Sequence, residues 1–126
     1  MREKKLLTHS EFQVMHILWN LPAQAGFTGE ILAKYEDPKP AYTTLATFLK
    51  ILTNKGFVKF KKRGSKLYYT PTISQAEYAD TFLSPVKETF FHGSLQEMMR
   101  FFLSKENLSE GEINDLIQLI HEVQGK

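Results

Sequence analysis

Between Tyr42 and Lys55 the apolar side chains Leu45, Phe48, Leu49 and Leu52 recur at i, i+3, i+4 and i+7. That spacing puts them on one face of an α-helix. The other stripe carries Thr43, Thr47, Lys50 and Asn54, with Thr44 beside it, and it holds no carboxylate. Gly56 suits the left-handed residue just past a helix end, and Lys55 brings a cation to the last turn. The period then shortens to that of strands. Phe57-Val58-Lys59-Phe60 and Leu67-Tyr68-Tyr69-Thr70 are aromatic and β-branched runs, and Arg63-Gly64-Ser65 between them is a turn signal. Residues 42–71 therefore predict a helix followed at once by a two-stranded hairpin.

Upstream, Thr8 and Glu11 have capping-box spacing, and Phe12, Met15, Leu18 and Trp19 form the apolar stripe of a first helix that stops before Pro22. Ala25-Gly26-Phe27 can add one small strand. Thr28 is the expected N-cap of a second helix over about 29–35, with Glu30 near its positive end. Glu36-Asp37-Pro38-Lys39-Pro40 cannot continue a helix and makes a turn. Three helices and a hairpin in this order describe a winged helix-turn-helix over residues 1–72.

Beyond Pro71 the pattern is helical only. Ser74 with Glu77 and Ser109 with Glu112 are further capping boxes, and helices are predicted over 75–91, kinked at Pro85, then 94–104 and 110–124, with Gly93 as a break. Tyr78, Phe82, Val86 and Phe90 recur every four residues; Met98, Phe101 and Phe102 follow, then Ile113, Leu116, Ile117 and Ile120. Roughly 50 residues this apolar are too few to enclose a core of their own. The stripes call for a partner, and a second copy of the chain is the expected one, with packing onto the N-terminal domain as the alternative. The fold class expected is mainly α with a small β-hairpin: a winged helix-turn-helix domain, then an α-helical dimerisation region over 73–126.

Composition narrows the function. The 126 residues are 42% hydrophobic and 13% aromatic, as in an ordinary globular protein, and contain no cysteine. Disulfides and thiolate metal sites are thereby excluded. No apolar segment has the length of a signal core or a membrane span, so a cytoplasmic protein without membrane insertion is expected. The net charge of +2 hides a strong asymmetry. Residues 38–76 carry eight Lys/Arg and no Asp/Glu, whereas residues 77–126 carry four Lys/Arg against nine Asp/Glu. A basic segment that coincides with a helix and hairpin is the footprint of a phosphate-binding surface.

A major groove roughly 12 Å wide admits one helix, whose first residues meet the base edges. Thr43, Thr44 and Thr47 lie at that end of the predicted helix, and Lys50 one turn on is placed for phosphate. Lys59, Lys61, Lys62, Arg63 and Lys66 of the hairpin can bind flanking phosphates without sequence choice. Phe57, Phe60, Tyr68 and Tyr69 can stack on single strands, but alternation assigns most of them to the core. His9, His16, His92 and His121 have no metal-ligand spacing, and no phosphate-cradling glycine loop or nucleophile elbow occurs. No enzyme activity, cofactor or metal is expected. A winged-helix adaptor that binds proteins rather than DNA stays open as the second reading, on the strength of the acidic, apolar C-terminal half.

With these residues in place the chain resembles the penicillinase-repressor family of transcriptional regulators over nearly its whole length. The marks are Leu7-Thr8 to Glu11, Val14-Met15 and Leu18-Trp19, then Thr28-Gly29-Glu30-Ile31, Thr44-Leu45 to Thr47, Leu49 and Lys55-Gly56. Tyr69, Pro71 and Tyr78 continue them, and Phe91-His92-Gly93-Ser94-Leu95 and Leu108-Ser109-Glu110-Gly111-Glu112-Ile113 complete them. The resemblance implies a homodimeric repressor on a partly palindromic, double-stranded operator. In β-lactam-responsive members it implies release by a membrane-linked protease that cuts the dimerisation region. The family's scissile Asn-Phe pair falls on Phe101-Phe102, where the asparagine is absent. The cysteine cluster of the copper-responsive branch is absent too. Pro40 stands near the position of a tryptophan common before the recognition helix, and Gly64-Ser65 replaces a common Gly-Arg in the wing.

Overall fold

The structure, a computed structural model, describes residues 6–125. Its elements are α1 (His9–Asn20), β1 (Gly26–Phe27), α2 (Thr28–Ala33), α3 (Tyr42–Lys55), β2 (Val58–Arg63), β3 (Lys66–Pro71), α4 (Gln75–Phe91), α5 (Leu95–Ser104) and α6 (Glu110–Val123). The chain divides into two compact units between Ser84 and Pro85.

Unit 1 is the winged helix. α1 begins as its sequence dictates: Glu11 N–H donates to Thr8 Oγ1 at 3.2 Å, and Thr8 N–H donates back to Glu11 Oε1 at 3.0 Å. α3 ends on Gly56, whose φ of +88° is open to glycine at no steric cost, and Phe57 N–H reaches back to Leu52 C=O at 2.9 Å. The hairpin turn also relies on glycine, with Gly64 at φ +64°. β1 adds a third strand, so the sheet runs β1-β3-β2, all antiparallel. Met15, Leu18, Ile31, Leu45, Leu49 and Leu52 are wholly buried between these elements.

Several positions depart from the sequence-based expectation. Thr28 does not cap α2; Phe27 is the N-cap and Thr28 is a buried residue of the helix, because pairing Gly26–Phe27 with β3 pulls the helix start one residue forward. α2 also ends earlier, at Ala33. The compact units divide later than 72/73 because the chain after β3 is tied into unit 1. Trp19 Nε1–H donates to Ile73 C=O at 2.9 Å, and Leu7 N–H donates to the Tyr78 hydroxyl at 2.9 Å. Tyr78, expected in a dimer seam, is instead a core residue of unit 1 at 5% exposure, its ring 5.9 Å from that of Trp19 and 6.2 Å from those of Phe12 and Phe57. α4 continues through Pro85. Proline withholds the N–H that Thr81 C=O would otherwise receive, and the unit boundary falls at that same residue.

Unit 2 is built from short helices with well-formed ends. Gly93, at φ +74°, breaks the chain before α5, and Ser94 and Ser109 accept from Glu97 N–H and Glu112 N–H at 3.0 and 3.1 Å. Phe91 packs 5.5 Å from Phe101, which lies 5.5 Å from Phe102, and the Lys105 ammonium stands 4.7 Å over the Phe101 ring. Met98, expected in the seam, is buried, while α6 has no buried residue.

One ion pair joins the ends of unit 1's longest helices. Lys55 Nζ lies 2.8 Å from Glu11 Oε2 and 2.9 Å from Oε1. Burial alone would raise the Glu11 carboxyl, but the Lys55 ammonium and the Thr8 N–H outweigh it and hold the group below its usual range. A carboxyl lowered by folding stabilises the protein above its unfolded pKa, and that stability is lost as pH falls through the folded value. Glu11→Gln should therefore cost about 1–2 kcal/mol at neutral pH and progressively less in acid. Thermal melts of both proteins across pH check this; an equal loss at neutral and strongly acid pH would remove the charge from the account.

Candidate nucleic-acid interface

The buried face of α3 decides what its other residues show to solvent. Advancing 100° per residue from Leu45, Leu49 and Leu52 puts Thr43, Thr47, Lys50 and Asn54 on the opposite face, and all four are exposed. Thr44 is exposed as well but sits on a flank. It borders a groove of about 790 Å³ between α1 and the α2–α3 turn, together with His16, Asn20, Asp37 and Phe48. In the same groove Tyr35 Oη is buried without a hydrogen-bond partner, and burial raises its pKa. Thr47 Oγ1 donates to Thr43 C=O at 3.0 Å. Its proton is thus held by the helix, leaving the oxygen lone pairs and the methyl group to face outward.

The opposite flank of α3 belongs to Tyr42, which sequence reasoning left out. The residue is 55% exposed at the first position of the helix. With Gly29 and Glu30 of α2 and Lys66 and Leu67 of β3, it lines a notch of about 450 Å³ between α3 and the hairpin. No signal in the sequence marks it: at three residues before Leu45 and seven before Leu49, Tyr42 continues the apolar stripe, and only the end of the core leaves it exposed.

Strand alternation splits the hairpin cations into two sets. Lys61 opposes Tyr68 and Arg63 opposes Lys66, so Lys59, Lys61, Arg63 and Lys66 share one face with Tyr68. Phe60 opposes Tyr69 and Lys62 opposes Leu67, which puts Lys62 on the other face, the one that buries Val58 and Tyr69 at its base. Arg63 does not extend freely. Its guanidinium lies 3.8 Å over the Tyr68 ring, which in turn meets Phe27 edge-on at 5.0 Å. Core assignment holds for Phe57 and Tyr69, while Phe60 is 52% exposed. Burial, reinforced by the nearby Tyr42 hydroxyl, pushes the Tyr69 phenol up and keeps it neutral.

Four acids lie near this surface: Glu36 and Asp37 line the groove beside Thr44, and Glu11 and Glu30 are held within the fold. Glu11 is neutralised by Lys55, and Glu30 Oε1 accepts Phe27 N–H at 2.8 Å. Five exposed cations on the hairpin and a helix face that carries Lys50 and no acid suit a polyanion.

Among the described residues no helix is long and apolar enough to cross a membrane. The sequence model of the penicillinase repressor family matches residues 7–122. The penicillinase repressor of Bacillus licheniformis is 28% identical over 123 residues, covering 97% of this chain and 94% of that protein. The methicillin resistance regulatory protein MecI of Staphylococcus aureus strain N315 is 24% identical, covering 91% of this chain and 93% of its own length.

Proposed function

The chain belongs to the penicillinase repressor family, and from that premise we propose that it is a homodimeric transcriptional repressor of double-stranded operator DNA. α3 enters the major groove with Thr43 and Thr47 toward the base edges and Thr44 at the side, while Lys50 meets phosphate. Lys59, Lys61, Lys62, Arg63 and Lys66 hold the flanking backbone from both faces of the wing. The observation that carries this reading is the exposed, acid-free stripe of α3 standing beside the exposed cations of the hairpin. With its proton bound to Thr43 C=O, Thr47 can accept a hydrogen bond from an exocyclic base amine or set its methyl against thymine.

Unit 2 supports the dimer. Phe82 of α4 and Phe90, Phe101, Phe102, Ile113, Leu116, Ile117 and Ile120 of unit 2 are exposed large hydrophobics, and Phe90 reaches 70% exposure. Val86 is half-buried. A soluble monomer rarely exposes so many large apolar side chains, and a self-complementary pairing of two copies would cover them. If a membrane-linked protease releases the repressor at Phe101–Phe102, α5 must first unwind there, because both residues lie inside the helix and cleavage favours open chain. The adaptor reading gains no specific observation.

Binding to DNA from the protein's own promoter should weaken steeply with salt, as several phosphate contacts require. Thr47→Ala should reduce discrimination between operator and random duplex, whereas Lys62→Ala should weaken both alike; equal losses for Thr47→Ala on the two duplexes would take that residue out of base reading. In light scattering the protein should be a dimer at micromolar concentration, and Ile117→Glu with Ile120→Glu should give a monomer that retains the melting transition of unit 1. A wild-type monomer would end the dimer assignment.

A further inference from the structure

Gly29 leaves a gap on the surface. It is the second residue of the six-residue helix α2, in its first turn, and carries no side chain. Its φ is not in the left-handed region, and a Cβ built there meets nothing within 4 Å. Neither backbone conformation nor packing asks for glycine. What Gly29 does is open the floor of the notch that Tyr42 and Lys66 flank.

The chemistry of the notch is specific. Tyr42 contributes a phenol and Lys66 an ammonium, both on exposed residues; Leu67 provides an apolar side. Glu30, the acid at this rim, already accepts the Phe27 N–H through Oε1. One hydroxyl donor, one cation and a floor without a side chain suit a tetrahedral anion approaching closely. The notch also lies between the helix and the wing, so a duplex strand read by α3 and held by the wing must cross it.

We infer that this notch is a seat for one backbone phosphodiester of the operator strand, held by the Tyr42 hydroxyl and the Lys66 ammonium above Gly29. The assignment rests on the DNA-binding reading and adds to it the residue that sets the register of the strand between helix and wing. Tyr42 is here a positioning residue, contacting phosphate and leaving base choice to the threonine stripe.

The test is equilibrium binding of the full chain to promoter duplex over a range of salt, and to duplexes in which single phosphates are replaced in turn by neutral methylphosphonate. Tyr42→Phe should weaken binding about three- to tenfold at every salt concentration without changing the salt slope, since the lost group is uncharged. Lys66→Ala should reduce the slope by about one phosphate. Gly29→Ala should weaken binding while leaving the melting temperature unchanged or raised, which separates a blocked seat from a damaged fold. One methylphosphonate position should weaken the wild type and have no further effect on Tyr42→Phe. Wild-type binding by both Tyr42→Phe and Gly29→Ala, with salt-sensitive binding intact, would overturn the seat and leave the repressor reading standing. Absence of salt-sensitive DNA binding by the wild type would overturn both.

Discussion

Burial of Leu45, Leu49 and Leu52 is the constraint from which the surface of this protein follows. All three are fully removed from water, packed with Val14, Met15, Leu18 and Ile31. At about 25 cal/mol per Å² of apolar area, burying each such side chain is worth roughly 1.5–3 kcal/mol. A rotation of α3 that withdrew them would therefore cost more than any exposed hydrogen bond could return. The rotation of α3 being set by its core, its remaining residues have no freedom of address. Thr43, Thr47 and Lys50 face out, Thr44 takes one flank and Tyr42 the other.

The Glu11–Lys55 pair works at the margin of the same core. It joins the first turn of α1 to the last turn of α3, with Glu11 almost fully buried. A lone carboxylate in that place would be costly, and the ammonium together with the Thr8 N–H makes it tolerable.

The two units satisfy the hydrophobic effect differently. Unit 1 closes a core around α3 and takes the aromatic start of α4 into it through Tyr78. Unit 2 secures its helices at their ends, through Ser94 and Ser109, and by the Phe91–Phe101–Phe102 contacts, yet leaves α6 with no buried residue. Caps make a helix; they do not cover its apolar stripe. That difference is why one unit offers a polar, cationic face and the other an apolar one.

The sequence by itself determined what depends on neighbours along the chain. The limits of α3 at Tyr42 and Lys55, those of α4 at Gln75 and Phe91, the capping boxes at Thr8, Ser74 and Ser109, the left-handed Gly56 and the turn at Gly64 were legible, because periodicity and capping act over three or four residues. The acid-free basic segment was legible for the same reason. Only the tertiary structure decided matters that turn on residues far apart. Pairing of Gly26–Phe27 with β3 moved the start of α2, and the Trp19–Ile73 and Leu7–Tyr78 hydrogen bonds drew Tyr78 into the core. The register of β2 on β3 sorted the cations between two faces, and the meeting of α2, α3 and β3 made a notch of Gly29, Tyr42 and Lys66. Such contacts join residues tens of positions apart, and a local pattern carries no record of which distant face a side chain will meet.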